Sequence, residues 1–113
     1  MPTLFTRILN GEIPGKVVYE DDLCFAIQDI KAEAPAHVLI IPRKEIPSIA
    51  HATEADQAIL GQLLVAAGTI ARQLGVADDG YRLTINTGRD AGQTVSHIHV
   101  HLLGGRPFSW PPG

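Results

Sequence analysis

The segment Ser96-His97-Ile98-His99-Val100-His101-Leu102-Leu103 constrains this chain more than any other. Histidine and aliphatic residues alternate along it. In an extended strand, successive side chains point to opposite faces. His97, His99 and His101 therefore share one face, and Ile98, Val100 and Leu102 share the other. The aliphatic face demands a core, and the imidazole face looks onto something polar. Five histidines scattered at random over 113 residues would give three in this pattern roughly 0.01 times per chain, so the cluster needs a reason.

The remaining sequence can supply the core. A short helix is expected over Phe5 to Asn10, followed by a turn at Glu12-Ile13-Pro14-Gly15. Lys16 to Tyr19 and Leu23 to Ile30 read as strands joined by a hairpin turn at Glu20-Asp21-Asp22. His37 to Pro42 reads as a third strand, and its unbroken Val38-Leu39-Ile40-Ile41 implies burial on both faces. Thr53-Glu54-Ala55-Asp56 resembles a capping box that opens a long helix. On that helix Ile59, Leu60, Leu63, Leu64, Ala67, Ile70, Ala71 and Leu74 form the expected core face, and Gly75 stops it. Gly61 and Gly68 lie seven residues apart. They would either admit another backbone, within the fold or across a dimer, or sit on an exposed stripe. Tyr81 to Thr87 and Val95 to Leu103 read as the fourth and fifth strands, separated by the polar loop Gly88 to Gln93. Strands, one long helix and strands again, joined by short turns, suggest an antiparallel α+β domain.

Composition narrows the function classes. At 113 residues, 45% hydrophobic and 19% charged, with mean hydropathy +0.11, the chain suits one globular domain, 1–113. A net charge of -3 supplies no broad basic field, which argues against nucleic acid as a partner. No apolar run approaches the ~18 residues of a membrane span. Met1 to Asn10 lacks a secretory pattern. A cytoplasmic protein is the expectation, and the single Cys24 fits a reducing compartment. One cysteine also forms no internal disulfide and no multi-cysteine zinc site. Burial of Trp110 is expected, since Trp110-Pro111-Pro112 is a rigid apolar ending.

Three roles compete for the imidazole face: an incidental surface, a metal site built on alternate strand positions, or catalysis on an anionic group. Imidazole serves as nucleophile, base or acid near neutral pH. Neighbouring imidazoles titrate as a coupled set, so one can stay neutral beside a protonated one. That pairing suits phosphoryl or nucleotidyl transfer.

"HIHVHLL" matches the histidine-triad motif. "TLFTRILNGEIPGKVVYEDD", "DIKAEAPAHVLIIPRKEI", "NTGRDAGQTVSHIHVHLLGGR" and the terminal "WPPG" extend the match over nearly the whole chain. In these segments the sequence resembles the Hint branch of the histidine triad (HIT) superfamily. The resemblance implies a five-stranded antiparallel sheet with one long and one short helix, and an extended tail over 104–113. It also implies a homodimer whose sheets join into ten strands. The implied activity is purine nucleoside phosphoramidase: an adenosine 5′-phosphoramidate is cleaved to AMP through a covalent nucleotidyl-histidine. The implied partner is a purine nucleotide, with neither cofactor nor metal required.

Residue by residue, the resemblance makes His99 the nucleophile. His101 becomes the group that hydrogen-bonds the phosphate or protonates the leaving amine, and His97 the group that orients His99. His37 becomes a supporting histidine from a neighbouring strand. Asp29 matches the acid that holds the ribose hydroxyls. Leu4, Phe5, Ile8, Ile13 and Ile30 match the apolar wall around the base. Asn86, Gly92, Gln93 and Thr94 match the phosphate-side contacts. Thr94 stands where serine is common, Ser96 where an aromatic residue is frequent, and Phe108-Ser109 where other residues precede the tryptophan. These departures bear on leaving-group preference. His51 lies outside the motif and reads as a surface residue. Two other functions remain open: a nucleotide-binding scaffold with little catalysis, and a metal-binding protein.

Overall fold

A computed structural model describes residues 1–113. The chain opens with a short helix, α1 (Leu4–Leu9), whose N-cap Thr3 accepts a hydrogen bond from the Thr6 N–H at 3.3 Å. Strands β1 (Val17–Glu20), β2 (Cys24–Gln28) and β3 (Ala36–Pro42) follow. Two 3-10 turns, Ile49–His51 and Glu54–Asp56, lead into the long helix α2 (Gln57–Gln73). The chain then returns as β4 (Tyr81–Ile85) and β5 (Val100–Gly104). All pairings are antiparallel, in the order β1-β2-β3-β5-β4. The fold class is thus the expected α+β, a five-stranded sheet with one long and one short helix.

Side-chain alternation divides the core between the two faces of the sheet. Cys24 and Ala26, Val38 and Ile40, and Ile98, Val100 and Leu102 turn towards α2, where they pack with Leu63, Ala66, Ala67, Ile70 and Ala71. Phe25, Ile27, Leu39 and Ile41 turn the other way and pack with Phe5 of α1. Strand β3 is buried on both faces, as its aliphatic run implies. The histidines of the motif lie on the α1 side.

Several expectations are corrected. The fifth strand does not begin at Val95, because residues 95–99 leave the ladder. The His97 N–H bonds back to the Val95 carbonyl, and the Ile98 N–H bonds to Ile46 instead of to a neighbouring strand. The side-chain alternation survives this departure: Ile98 is buried against α2, and His99 is buried on the opposite side. The capping box forms, with Asp56 accepting from the Thr53 N–H at 3.0 Å, but it caps a 3-10 turn ahead of α2. Leu64 and Leu74 do not belong to the core face. Leu64 is 53% exposed, Leu74 lies at the surface, and Ala66 takes an inner position instead. Gly61 and Gly68 admit no backbone within the fold, since only side-chain atoms of Arg72 and Tyr81 come near Gly68 and nothing comes near Gly61. Trp110 is 82% exposed in the single chain. His51 is an exposed residue of the first 3-10 turn, its Nδ1 2.7 Å from the Ser48 hydroxyl. No helix is long and apolar enough to cross a membrane.

Candidate active site

An open cavity of about 420 Å³ lies between α1, the ends of β2 and β3, and the segment leading into β5. That is within the usual size of a small-molecule site. Leu4, Phe5, Ile8, Ile13 and Ile30 line one part of it, and Asp29, Thr94, His99 and His101 line another. Strand parity explains Asp29. It follows Phe25 and Ile27 at two-residue steps, so it falls on the α1 side of the sheet, just past the end of β2. Its Oδ1 accepts the Lys31 N–H at 2.8 Å, which holds the carboxylate at the rim. Ile30, 92% exposed, offers an unpartnered apolar surface at the same rim.

The four histidines occupy different environments, and their partners fix their protons. His97 is fully buried. Its Nε2 lies 2.7 Å from the Pro42 carbonyl, which can only accept, so Nε2 carries the proton. Its Nδ1, 2.6 Å from the Thr3 hydroxyl, is then the acceptor. Desolvation holds His97 below the ordinary imidazole pKa, against the opposing pull of the Pro42 hydrogen bond. His99 Nδ1 lies 2.8 Å from the carbonyl of His97. The same rule places a proton on His99 Nδ1, so that in the neutral ring the lone pair sits on Nε2, on a ring that lines the cavity. Phe5 packs edge-on against His99, with ring centroids 5.0 Å apart.

His37 and His101 form a second pair. The Glu33 N–H donates to His37 Nδ1 at 3.0 Å, so the His37 proton resides on Nε2. That nitrogen lies 2.9 Å from His101 Nδ1 and 3.4 Å from Asp29 Oδ2. His101 Nδ1 therefore accepts, and its own proton sits on Nε2. Burial, followed by the neighbouring His99 and His37, pulls the His101 pKa down to about 4. His101 is thus neutral at pH 7, and the two cavity imidazoles in their neutral forms are complementary tautomers. His99 presents a lone pair and His101 presents an N–H.

Asp29, His37 and His101 are also the histidine or acidic groups that converge, their ligand atoms within 4.8 Å of one another. His97 cannot join them, because Thr3 and Pro42 occupy both its ring nitrogens. A metal held by His37 and His101 would have to displace the hydrogen bond between them.

Five expected residues stand apart from the cavity lining. His97 and His37 lie behind His99 and His101. Gly92 and Gln93 line a separate polar groove with Thr94, which borders both. The Gln93 amide is committed to shaping its own loop: Nε2 donates to the Pro47 and Val95 carbonyls, and Oε1 accepts the Gly88 N–H. Asn86, just past β4, is half-buried and outside the lining of the cavity. Reading the sequence missed Thr3 and Glu45. Thr3 carries a signal, a hydroxyl residue directly ahead of a helix. Glu45 carries none, since its link to Thr3 spans 42 residues.

The HIT domain model matches residues 10–108. The chain belongs to the HIT family. Among its relatives, an uncharacterized HIT-like protein of Synechocystis is 54% identical over 111 residues, covering 98% of this chain and 96% of that one. The crystal structure of a HIT family hydrolase from Legionella pneumophila superposes with a TM-score of 0.95 at 46% identity, covering 99% of this chain and all of the other. A histidine triad nucleotide-binding protein from Candida albicans superposes with a TM-score of 0.81 at 29% identity, covering 97% and 83%. The HIT fold is therefore shown across the whole chain, and its similarity is to hydrolases of that family.

Proposed function

We propose that this HIT protein is a purine nucleoside phosphoramidase that releases an amine from adenosine 5′-phosphoramidates and leaves AMP. The observation that carries the reading is the tautomer of His99. Its Nδ1–H donates to the His97 carbonyl, so Nε2 is free to act as a nucleophile beside the Nε2–H of His101. A scaffold that only bound nucleotide would need no such nucleophile. The apolar wall of Leu4, Phe5, Ile8, Ile13 and Ile30 would take the base, and the Asp29 carboxylate would accept from the ribose hydroxyls. Thr94 would face the phosphate.

In the first step the bond from His99 Nε2 to the α-phosphorus forms and the P–N bond breaks. The departing nitrogen takes a proton from the Nε2–H of a His101 ring that has gained an extra proton as the anionic substrate binds, so the amine leaves neutral and His101 ends as a neutral ring. In the second step water displaces His99, AMP leaves, and the proton lost by the water restores the site. Dividing one displacement into two is the gain of covalent catalysis. The test is turnover of adenosine 5′-phosphoramidate by the wild-type protein and by His99→Asn. Wild-type turnover with loss in the variant supports the reading; an inactive wild type or a fully active variant removes it.

The same reading includes a homodimer. Leu64 and Val65, 53% and 65% exposed, share one outward stripe of α2 with Gly61 and Gly68. Strand β4 is an open sheet edge beside them, and Trp110 projects from the tail. An apolar stripe, an unpaired edge and an exposed tryptophan together are a costly surface for a monomer.

A further inference from the structure

We infer that Thr3 is a positioning residue for the reaction, acting on His99 through His97. The inference rests on the phosphoramidase reading for the reaction concerned, while the hydrogen bonds behind it stand on geometry alone. Thr3 serves two partners at once. Its hydroxyl oxygen accepts the Thr6 N–H as the cap of α1, and its hydroxyl proton goes to His97 Nδ1 at 2.6 Å. His97 is fully buried, and its Nε2–H is already given to Pro42. Thr3 is thus the sole donor to a nitrogen that water does not reach. The His97 carbonyl in turn fixes the proton of His99.

A second anchor holds Thr3 in place. Its backbone N–H donates to Glu45 Oε1, which also accepts from the Thr6 hydroxyl at 2.9 Å. Phe5, two residues further on, packs against both triad rings, with centroids 5.7 Å from His97 and 5.0 Å from His99. The helix that supplies the apolar cavity wall therefore also sets the nucleophile. Without the Thr3 hydroxyl, His97 Nδ1 has no partner. The ring is then free to exchange tautomers or rotate, and its carbonyl no longer holds His99 in one orientation. Small misplacements of a nucleophile cost rate more than binding.

The experiment compares Thr3→Val, Thr3→Ser and the control Thr6→Val. Thr6→Val removes a contact of α1 with Glu45 but leaves the His97 donor in place. Two readouts are used: steady-state kinetics on adenosine 5′-phosphoramidate, and histidine ring nitrogen-15 NMR of the unliganded protein. Thr3→Val is expected to lower kcat roughly tenfold with KM little changed. Its His97 Nδ1 signal is expected to move towards that of a nitrogen without a hydrogen bond. Thr3→Ser should restore both, and Thr6→Val should alter neither. Wild-type kcat in Thr3→Val, an unmoved His97 signal, or failure of Thr3→Ser to restore the rate would overturn the assignment. An inactive wild type would overturn only the phosphoramidase reading, and the His97 signals would still decide what Thr3 does.

Discussion

At the scale of single residues, the site is built by assigning protons. Backbone carbonyls and amides are fixed acceptors and donors, so Pro42, His97 and Glu33 dictate which nitrogen of His97, His99 and His37 is protonated. His101 inherits its tautomer from His37. His99→Asn is expected to lower kcat at least about a thousandfold in steady-state assays, because no remaining group presents a free nitrogen at that position. The neutral histidines also predict a pH dependence of folding. His101 is drawn down to about 4 and His97 is lowered by burial, whereas an unfolded histidine titrates near 6.5. As pH falls through 6.5, the unfolded chain takes up protons that the folded chain does not. Stability is therefore greatest above that value and falls progressively towards pH 4. Urea midpoints on the unliganded protein should be lower at pH 5 than at pH 7.5; equal midpoints would contradict the neutral assignment.

At the scale of elements, the alternation around the triad was readable because it follows from strand geometry alone. Ile98, Val100 and Leu102 face α2 as their spacing requires. Ile98→Ala should cost about 2–5 kcal/mol in denaturant unfolding, since the site is closely packed. The length of β5 was not readable, because its early residues are drawn off by turn bonds and by Ile46, which local pattern does not show. Helix α2 was legible in most of its inner face, Leu63, Ala67, Ile70 and Ala71, but not at Leu64 and Leu74. It is apolar nearly all round, so period alone could not choose between Leu64 and Ala66. His37 on β3 and Asp29 just past β2 fall on the α1 side of the sheet, as strand parity requires. Loop residues fared less well: the Gln93 amide turned out to be used by its own loop. At the end of β5, Gly105 has φ +89°, and an added Cβ would lie 2.9 Å from Pro35. Gly105→Ala should therefore destabilise by roughly 1–3 kcal/mol, measured by the same unfolding method. An unchanged midpoint would show that the turn relaxes.

At the scale of the whole molecule, the sheet separates two tasks. Its α2 side carries most of the hydrophobic core, and its α1 side carries the cavity and the histidines. The tail is held to this body by the Arg82 guanidinium on the Ser109 carbonyl and by Arg82 and Arg106 against the Phe108 ring. Trp110 is left outward. Sedimentation should find a dimer, and Val65→Glu should shift it towards monomer by placing a charge on the apolar stripe; a wild-type monomer at micromolar concentration would refute the proposed assembly. The molecule as a catalyst is tested most directly by quenching a reaction with adenosine 5′-phosphoramidate in progress and measuring intact-protein mass, followed by peptide mapping. One AMP moiety per chain, carried on His99, is the predicted result. Steady turnover with no nucleotide on the chain, or with the nucleotide on another residue, would contradict it.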